Sequence, residues 1–395
     1  MSNERRKSVN KLFGHIRHIC AIWQQEVTSM LKDEGMLLIL LLIPLAYPVL
    51  YSWVYNNEVV HEVPVVIVDK SHSSQSRKFI QMYDASPSVK VCCYANNLKE
   101  AQDIIGHQKA YGALYFPEDF GKRINRMEQA TVGVYCDMSL MLAYKNVYQT
   151  ATTVQGLMGA EIQTKLLGNH TTREDEVATQ PLHAEEVPIF NTTGGYGNFI
   201  LPGVLILILQ QTLLLGMGLF IGTTREENGR IIPCNPLYSN SLKIIGGRWM
   251  AYILLYTVLA AYILLVIPKM FSFVSIIYWR DFLLFILPFL MSCIFFGMTT
   301  MSIIRRREDV FLIVVFTSVP LLFMAGVSWP ASSIPEFWKW LSYLFPSTFG
   351  IKGFIAMNSM GARIEDIRPE ITALWVQTAV YFLTTAAIYH REMKK

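Results

Sequence analysis

Catalysis in this chain would need nucleophiles, metal ligands or a phosphate-binding loop, and the sequence offers few. No Gly-x-x-x-x-Gly-Lys-Ser/Thr run is present to wrap backbone N–H groups around a nucleotide's phosphates. No Gly-x-Ser-x-Gly elbow frames a nucleophilic serine. His61, His72, His107, His170 and His183 follow no ligand spacing and read as surface or core histidines. Catalytic residues and metal ligands are therefore expected to be none. A formal net charge of +4 is too modest to indicate a nucleic-acid partner.

Two other sets of polar residues stand out. Gln210, Gln211, Thr299, Thr300 and Gln377 sit inside long apolar stretches. Neutral groups there can line a translocation path or hold helices together, and interhelical hydrogen bonding is the commoner role. Arg225, Glu226, Glu227, Asn228, Gly229 and Arg230 form a charged run of mixed sign, followed by Pro233. Cationic loops beside membrane spans obey the positive-inside rule, but Glu226 and Glu227 are not required by it.

The elements around these residues point to a membrane. Hydrophobic residues make up 52% and charged ones 16%, too apolar for an ordinary soluble protein. Six stretches reach the length of a span: Met36–Tyr55, Phe199–Gly222, Trp249–Pro268, Phe282–Ile304, Val310–Trp329 and Ile371–Tyr389. None has a Lys, Arg, Asp or Glu in its interior. Arg5, Arg6, Lys7, Lys11, Arg17, Lys32, Arg225, Arg230, Lys243, Arg248, Arg305, Arg306, Arg307, Arg391, Lys394 and Lys395 gather on one side of this map. Both termini are therefore expected in the cytoplasm. The basic start lacks a short apolar core with a cleavage site, so span 1 is expected to act as the uncleaved insertion signal. Arg305-Arg306-Arg307-Glu308-Asp309 reads as a topology anchor rather than a second partner-docking contact.

Residues 1–35 place Val9, Leu12, Phe13, Ile16, Ile19, Cys20, Trp23, Val27 and Met30 at helical spacing, as in a basic amphipathic helix in the inner-leaflet interface. Residues 56–197 form a separate outside domain. Val63–Asp69, Val89–Tyr94, Tyr111–Phe116 and Thr131–Asp137 read as strands. They alternate with helices at Ser73–Tyr83, Leu98–Gln108 and Glu118–Met127, and a long helix follows from Leu140 to Leu167, giving an α/β or α+β domain. Its polar tail, His170–Gly197, reads as loop, with Asn169 and Asn191 in weakly informative glycosylation tripeptides. Cys93 and Cys136 fall in different strands, where a cross-strand disulfide and buried free thiols are equally open. Residues 330–370, rich in Trp and broken by Pro330, Pro335 and Pro346, read as short interfacial or re-entrant helices.

The remaining source of energy for such a chain is an ion gradient or a partner. Ion coupling needs ionisable residues within the spans, and none are seen. At this point the whole chain resembles the membrane subunit of ABC-2 type exporters with a large extracytoplasmic domain between spans 1 and 2. The resemblance rests on Val63–Asp69, Pro202-Gly203, Arg225-Glu-Glu-Asn-Gly with Pro233, Lys243-Ile-Ile-Gly-Gly-Arg-Trp, Pro320 through Gly326 to Trp329-Pro330, Pro335-Glu-Phe-Trp and Pro346. Arg230 stands where the family usually has threonine.

The resemblance implies an all-α six-helix membrane domain, a type V exporter-like fold with an inserted α/β domain. It implies a separate ATPase subunit that binds ATP and Mg, docking on Trp23 of the first helix and on Arg225, Glu226, Glu227, Gly229 and Arg230. No cofactor is expected in this chain. A second permease copy or a related permease would complete the path in a bacterial inner membrane. A periplasmic adaptor and an outer-membrane channel are further partners of this branch. The implied cargo is hydrophobic or amphipathic: a drug, a lipid-linked molecule or a peptide. A membrane receptor whose outside domain binds a ligand is the alternative, and a sensor would be expected to end in a signalling module rather than at Tyr389-His-Arg-Glu-Met-Lys-Lys.

Overall fold

The computed structural model describes residues 2–56, 60–168, 171–179, 189–191 and 194–394, with the backbone alone for 2–15, 167, 176 and 178. The Asn169 tripeptide start, His170, Pro181, His183 and Pro188 lie outside the described residues, as do the side chains of Val9, Leu12 and Phe13. Two compact units form: Met1–Glu58 with Pro188–Lys395, and Val59–Val187.

The first unit begins with a 31-residue helix, α1 (Ser2–Lys32), and a second, α2 (Glu34–Val54). Asp33 separates them because its Oδ1 accepts the Met36 N–H at 3.1 Å and caps α2. Within α2 the turn widens to π geometry over Leu38–Leu42, just before Pro44. A proline removes one N–H and crowds the carbonyl four residues back, and a wider turn accommodates both.

In the second unit, β1 (Val63–Asp69), α3 (Ser74–Asp84), β2 (Val89–Tyr94), α4 (Leu98–Gly106), β3 (Gly112–Phe116), α5 (Phe120–Asn125), β4 (Gly133–Cys136) and α6 (Met141–Leu167) follow in order. The sheet order is β2-β1-β3-β4, with β1 parallel to β2 and β3 and β4 antiparallel to β3. Val65 and Ile67 face Phe79 and Tyr83 of α3 and Val147 of α6, while Val66 and Val68 face Ala101 of α4. A strand covered on both faces reads as a continuous apolar run, which is why β1 lacks alternation.

This topology separates Cys93 and Cys136. They lie on β2 and β4, the opposite edges of the sheet, and pack on opposite faces. Three strand spacings amount to about 14 Å, whereas a disulfide needs Cα atoms within roughly 7 Å. Both thiols are free in this arrangement, the second of the two readings that the sequence leaves open. The tail expected as loop also holds a helix, α7 (Thr172–Thr179). Thr171 and Glu174 form a capping box: the Thr171 N–H donates to Glu174 Oε2 at 2.9 Å, and the Glu174 N–H donates to Thr171 Oγ1 at 3.4 Å.

The first unit then resumes with α8 (Tyr196–Asn228), α9 (Ser241–Met270) and α10 (Trp279–Met301). It continues through α11 (Asp309–Met324), α12 (Glu336–Ser342), α13 (Pro346–Met360) and α14 (Arg368–Met393). Among the described residues five helices, α2, α8, α9, α10 and α14, are long and apolar enough to cross a membrane. The fifth expected span, Val310–Trp329, differs: its helix α11 has 16 residues and stops at Met324. Gly326 takes a left-handed φ of 82° and turns the chain. At 1.5 Å per residue α11 spans about 24 Å, short of a hydrocarbon core of about 30 Å.

Candidate functional site

Helix α1 packs against the start of α9, and a glycine makes that approach possible. A Cβ at Gly247 would lie 2.5 Å from Ile22 Cγ2 and 3.3 Å from the Ile19 carbonyl oxygen. Polar contacts then fix α1 in register. Lys243 Nζ lies 3.0 Å from His18 Nδ1, and Asn235 Nδ2 donates to Gln25 Oε1 at 3.3 Å.

Beside them is a buried ion pair. Glu26 of α1 is 0% exposed and Arg248 of α9 is 1% exposed. Arg248 donates from Nε to Glu26 Oε1 at 2.9 Å, from Nη1 to Tyr389 Oη at 2.6 Å and from Nη2 to the Ile231 carbonyl at 3.3 Å. Its guanidinium also lies 4.8 Å from the ring centroid of Phe220 in α8. The Tyr238 hydroxyl donates to Glu26 Oε1 at 3.2 Å. One guanidinium thus joins α1, α8, α9, α14 and the α8–α9 connection. Arginine suits this role because its planar fork presents several donors in fixed directions. By sequence alone Arg248 counts as a topology charge, and Glu26 does not stand out among the charges of α1. The signal was present: Glu26 sits on the stripe Ile19, Ile22, Trp23, Met30, a lone carboxylate where an apolar residue fits.

A second cluster lies at the end of α8. Arg225 donates to the carbonyls of Ser302 at 3.0 Å and of Ile304. Glu226 Oε1 accepts the Arg307 N–H at 2.8 Å, and Arg307 Nη2 donates to Asp33 Oδ1 at 2.7 Å. Burial would raise the Asp33 carboxyl pKa, but the Arg307 guanidinium and the Met36 and Gly35 N–H groups hold it below its ordinary value. Arg307 thus joins the α1–α2 junction to α8 within the chain. Gly229 caps α8 at φ 69°, its N–H donating to the Arg225 carbonyl at 2.8 Å. Glu227 is exposed and makes no hydrogen bond or ion pair among the described residues, and Arg230 is exposed beside it. Trp23 is half-buried and packs against the helix core.

The intramembrane polar residues are engaged within the chain. Gln210 Oε1 accepts the Ser347 N–H at 2.7 Å, and Gln211 Nε2 donates to Ser318 Oγ at 2.9 Å. Thr299 Oγ1 lies 3.0 Å from both Thr384 and Thr385 hydroxyls, and Thr300 donates to the Phe296 carbonyl at 2.8 Å. Gln377 donates to the Tyr343 carbonyl at 2.7 Å and accepts from Ser292 at 3.2 Å. Among the described residues no group of three or more His, Cys, Asp or Glu is arranged for a metal ion.

Several membrane-length helices in one chain, bound by ionic and hydrogen-bonded clusters, define a multi-pass membrane protein. The model of the ABC-2 family transporter protein matches residues 35–387, and the chain belongs to that family. Membership supports a transport role and implies, in general, an ATPase partner. No curated protein matches the chain.

Proposed function

We propose that this chain is the permease subunit of an ATP-driven exporter for a hydrophobic or amphipathic substrate, powered by a separate ATPase subunit. In this reading α1 and the α8–α9 connection face the ATPase in the cytoplasm. Residues 59–187 lie outside a bacterial cytoplasmic membrane. Helix α11 and the short helices after it complete the sixth crossing, and a second permease, identical or related, completes the path.

The Glu26–Arg248 cluster supports this reading best. Two helix packings can transmit force only when they move as one, and a buried pair with several hydrogen bonds resists sliding. A push on α1 or on Tyr238 would reach α9 and α14 through the single Arg248 guanidinium. Glu227, exposed at the end of α8, is the side chain this reading turns toward a charged partner. Glu226 is a poor probe of docking, because it accepts the Arg307 N–H within this chain.

The test is purification of the full chain from native membranes with mass spectrometry of co-purifying proteins. A stoichiometric ATP-binding subunit is expected, and Glu227→Lys is expected to release it without loss of the folded permease. Repeated purification without an ATP-binding chain would overturn the proposal. Retention of the subunit by the Glu227→Lys variant would overturn the docking site.

A further inference from the structure

The α/β unit contains a cavity on the α6 side of its sheet. It lies between α5, the segment before β4, and α6, with a volume of about 750 Å³. That is within the usual range of small-molecule sites, about 300–1,000 Å³. Its floor is core: Phe79, Phe120, Ala151 and Met158 are each 5% exposed or less. Its mouth is exposed and mixed in character: beside Glu128, Gln129 and Thr131 stands Met127, 74% accessible and held at φ 60°, a backbone conformation that a methionine rarely adopts. Methionine thioethers at the floor and the mouth adapt to varied apolar shapes.

Two observations narrow the occupant. The wall of α6 is kept low at Gly159, where a Cβ would meet nothing within 4 Å. A glycine inside an exposed helix costs about 0.5–1 kcal/mol relative to alanine, so helix stability does not account for it. The second is charge: Glu128 is the only charged residue in the lining among the described residues, and its carboxylate has no hydrogen bond or ion pair there. Aromatic rings at Phe79, Phe120 and Tyr148 add faces that favour a cation.

We propose that this cavity binds a hydrophobic cation, its apolar body seated on Phe79, Phe120 and Met158 and its positive group beside Glu128. As the class of exported cargo, this rests on the export reading; binding itself does not require the ATPase.

The test uses the full permease alone, in phosphatidylcholine nanodiscs, with tritiated tetraphenylphosphonium as the probe. Saturable binding is expected. Gly159→Trp fills the cavity and is expected to weaken binding about tenfold or more, while Glu128→Gln weakens it roughly threefold, as for a partly exposed ion pair. Gly156→Trp lies on the same helix, also with nothing within 4 Å of its Cβ, and does not line the cavity. It is expected to bind like the wild type. Tetraphenylborate, an anion of the same shape, is expected to compete poorly. Unchanged binding in Gly159→Trp, an equal loss in Gly156→Trp, or equal competition by tetraphenylborate would each overturn the proposal. Because the ATPase is absent, a failed co-purification leaves this result standing.

Discussion

Replacing Glu26 by leucine removes the only carboxylate that Arg248 contacts among the described residues. The guanidinium would keep two neutral acceptors, Tyr389 Oη at 2.6 Å and the Ile231 carbonyl at 3.3 Å, while remaining 1% exposed. A buried charge that loses its partner costs about 3–5 kcal/mol. That is a large share of a typical folding stability of about 5–15 kcal/mol. Arg248→Met should cost a similar amount, because Glu26 would keep only the Tyr238 hydroxyl as donor. The double variant Glu26→Leu/Arg248→Met removes both charges and replaces them with apolar groups of comparable size. It should therefore recover much of the loss, with a coupling energy of roughly 2 kcal/mol or more. Equilibrium unfolding of the full chain in mixed micelles with rising SDS measures all three variants. Single variants that each lose less than about 1 kcal/mol, or a double variant whose losses simply add, would refute the buried-pair reasoning.

Further outcomes follow from other contacts. Glu161 is held at a pKa of about 2 by Lys165 and Lys78. Its contribution to the α/β unit is present above the ordinary glutamate value of about 4.3. It is lost as pH falls through the folded value, so Glu161→Gln should flatten the acid-induced loss of near-ultraviolet dichroism between those limits. Asp33, also lowered, behaves in the same sense: Asp33→Asn should remove an acid-sensitive contribution at the α1–α2 junction, seen as pH-independent proteolysis there. Gly247→Leu should push α1 off α9, since even a Cβ there meets Ile22 at 2.5 Å, and limited proteolysis should then cut within α1. Peptide mapping without reductant should find Cys93 and Cys136 alkylated as free thiols; a peptide joining them would contradict the sheet order.

The membrane class, the apolar helices and β1 and β2 were legible because each depends on local composition and period. Val63–Asp69 and Val89–Tyr94 are observed at the bounds their apolar runs predict. The short helix α7 was legible in principle from Thr171-Thr-Arg-Glu174, a capping box with local chemistry alone. Helix α11 was harder, because an apolar run continues through Gly326 while the backbone does not. The cysteine pairing depended on strand order, which no strand carries in its own sequence: β1 lies between β2 and β3, so Cys93 and Cys136 end on opposite edges. The cavity in the α/β unit likewise exists only where α5, the segment before β4 and α6 pack around Phe79.

The charged candidates mark the division most clearly. By itself the sequence determined that Arg225–Arg248 is a charged connection between apolar helices, and that α1 is amphipathic. Only the tertiary structure decided that Arg248 faces inward onto Glu26, 222 positions earlier in the chain, and that Glu226 accepts the Arg307 N–H. A charge declares its sign in the sequence, but its solvation and its partner are set by packing. Gly247 lets α1 approach α9, and that approach turns a surface arginine into the buried joint of four helices.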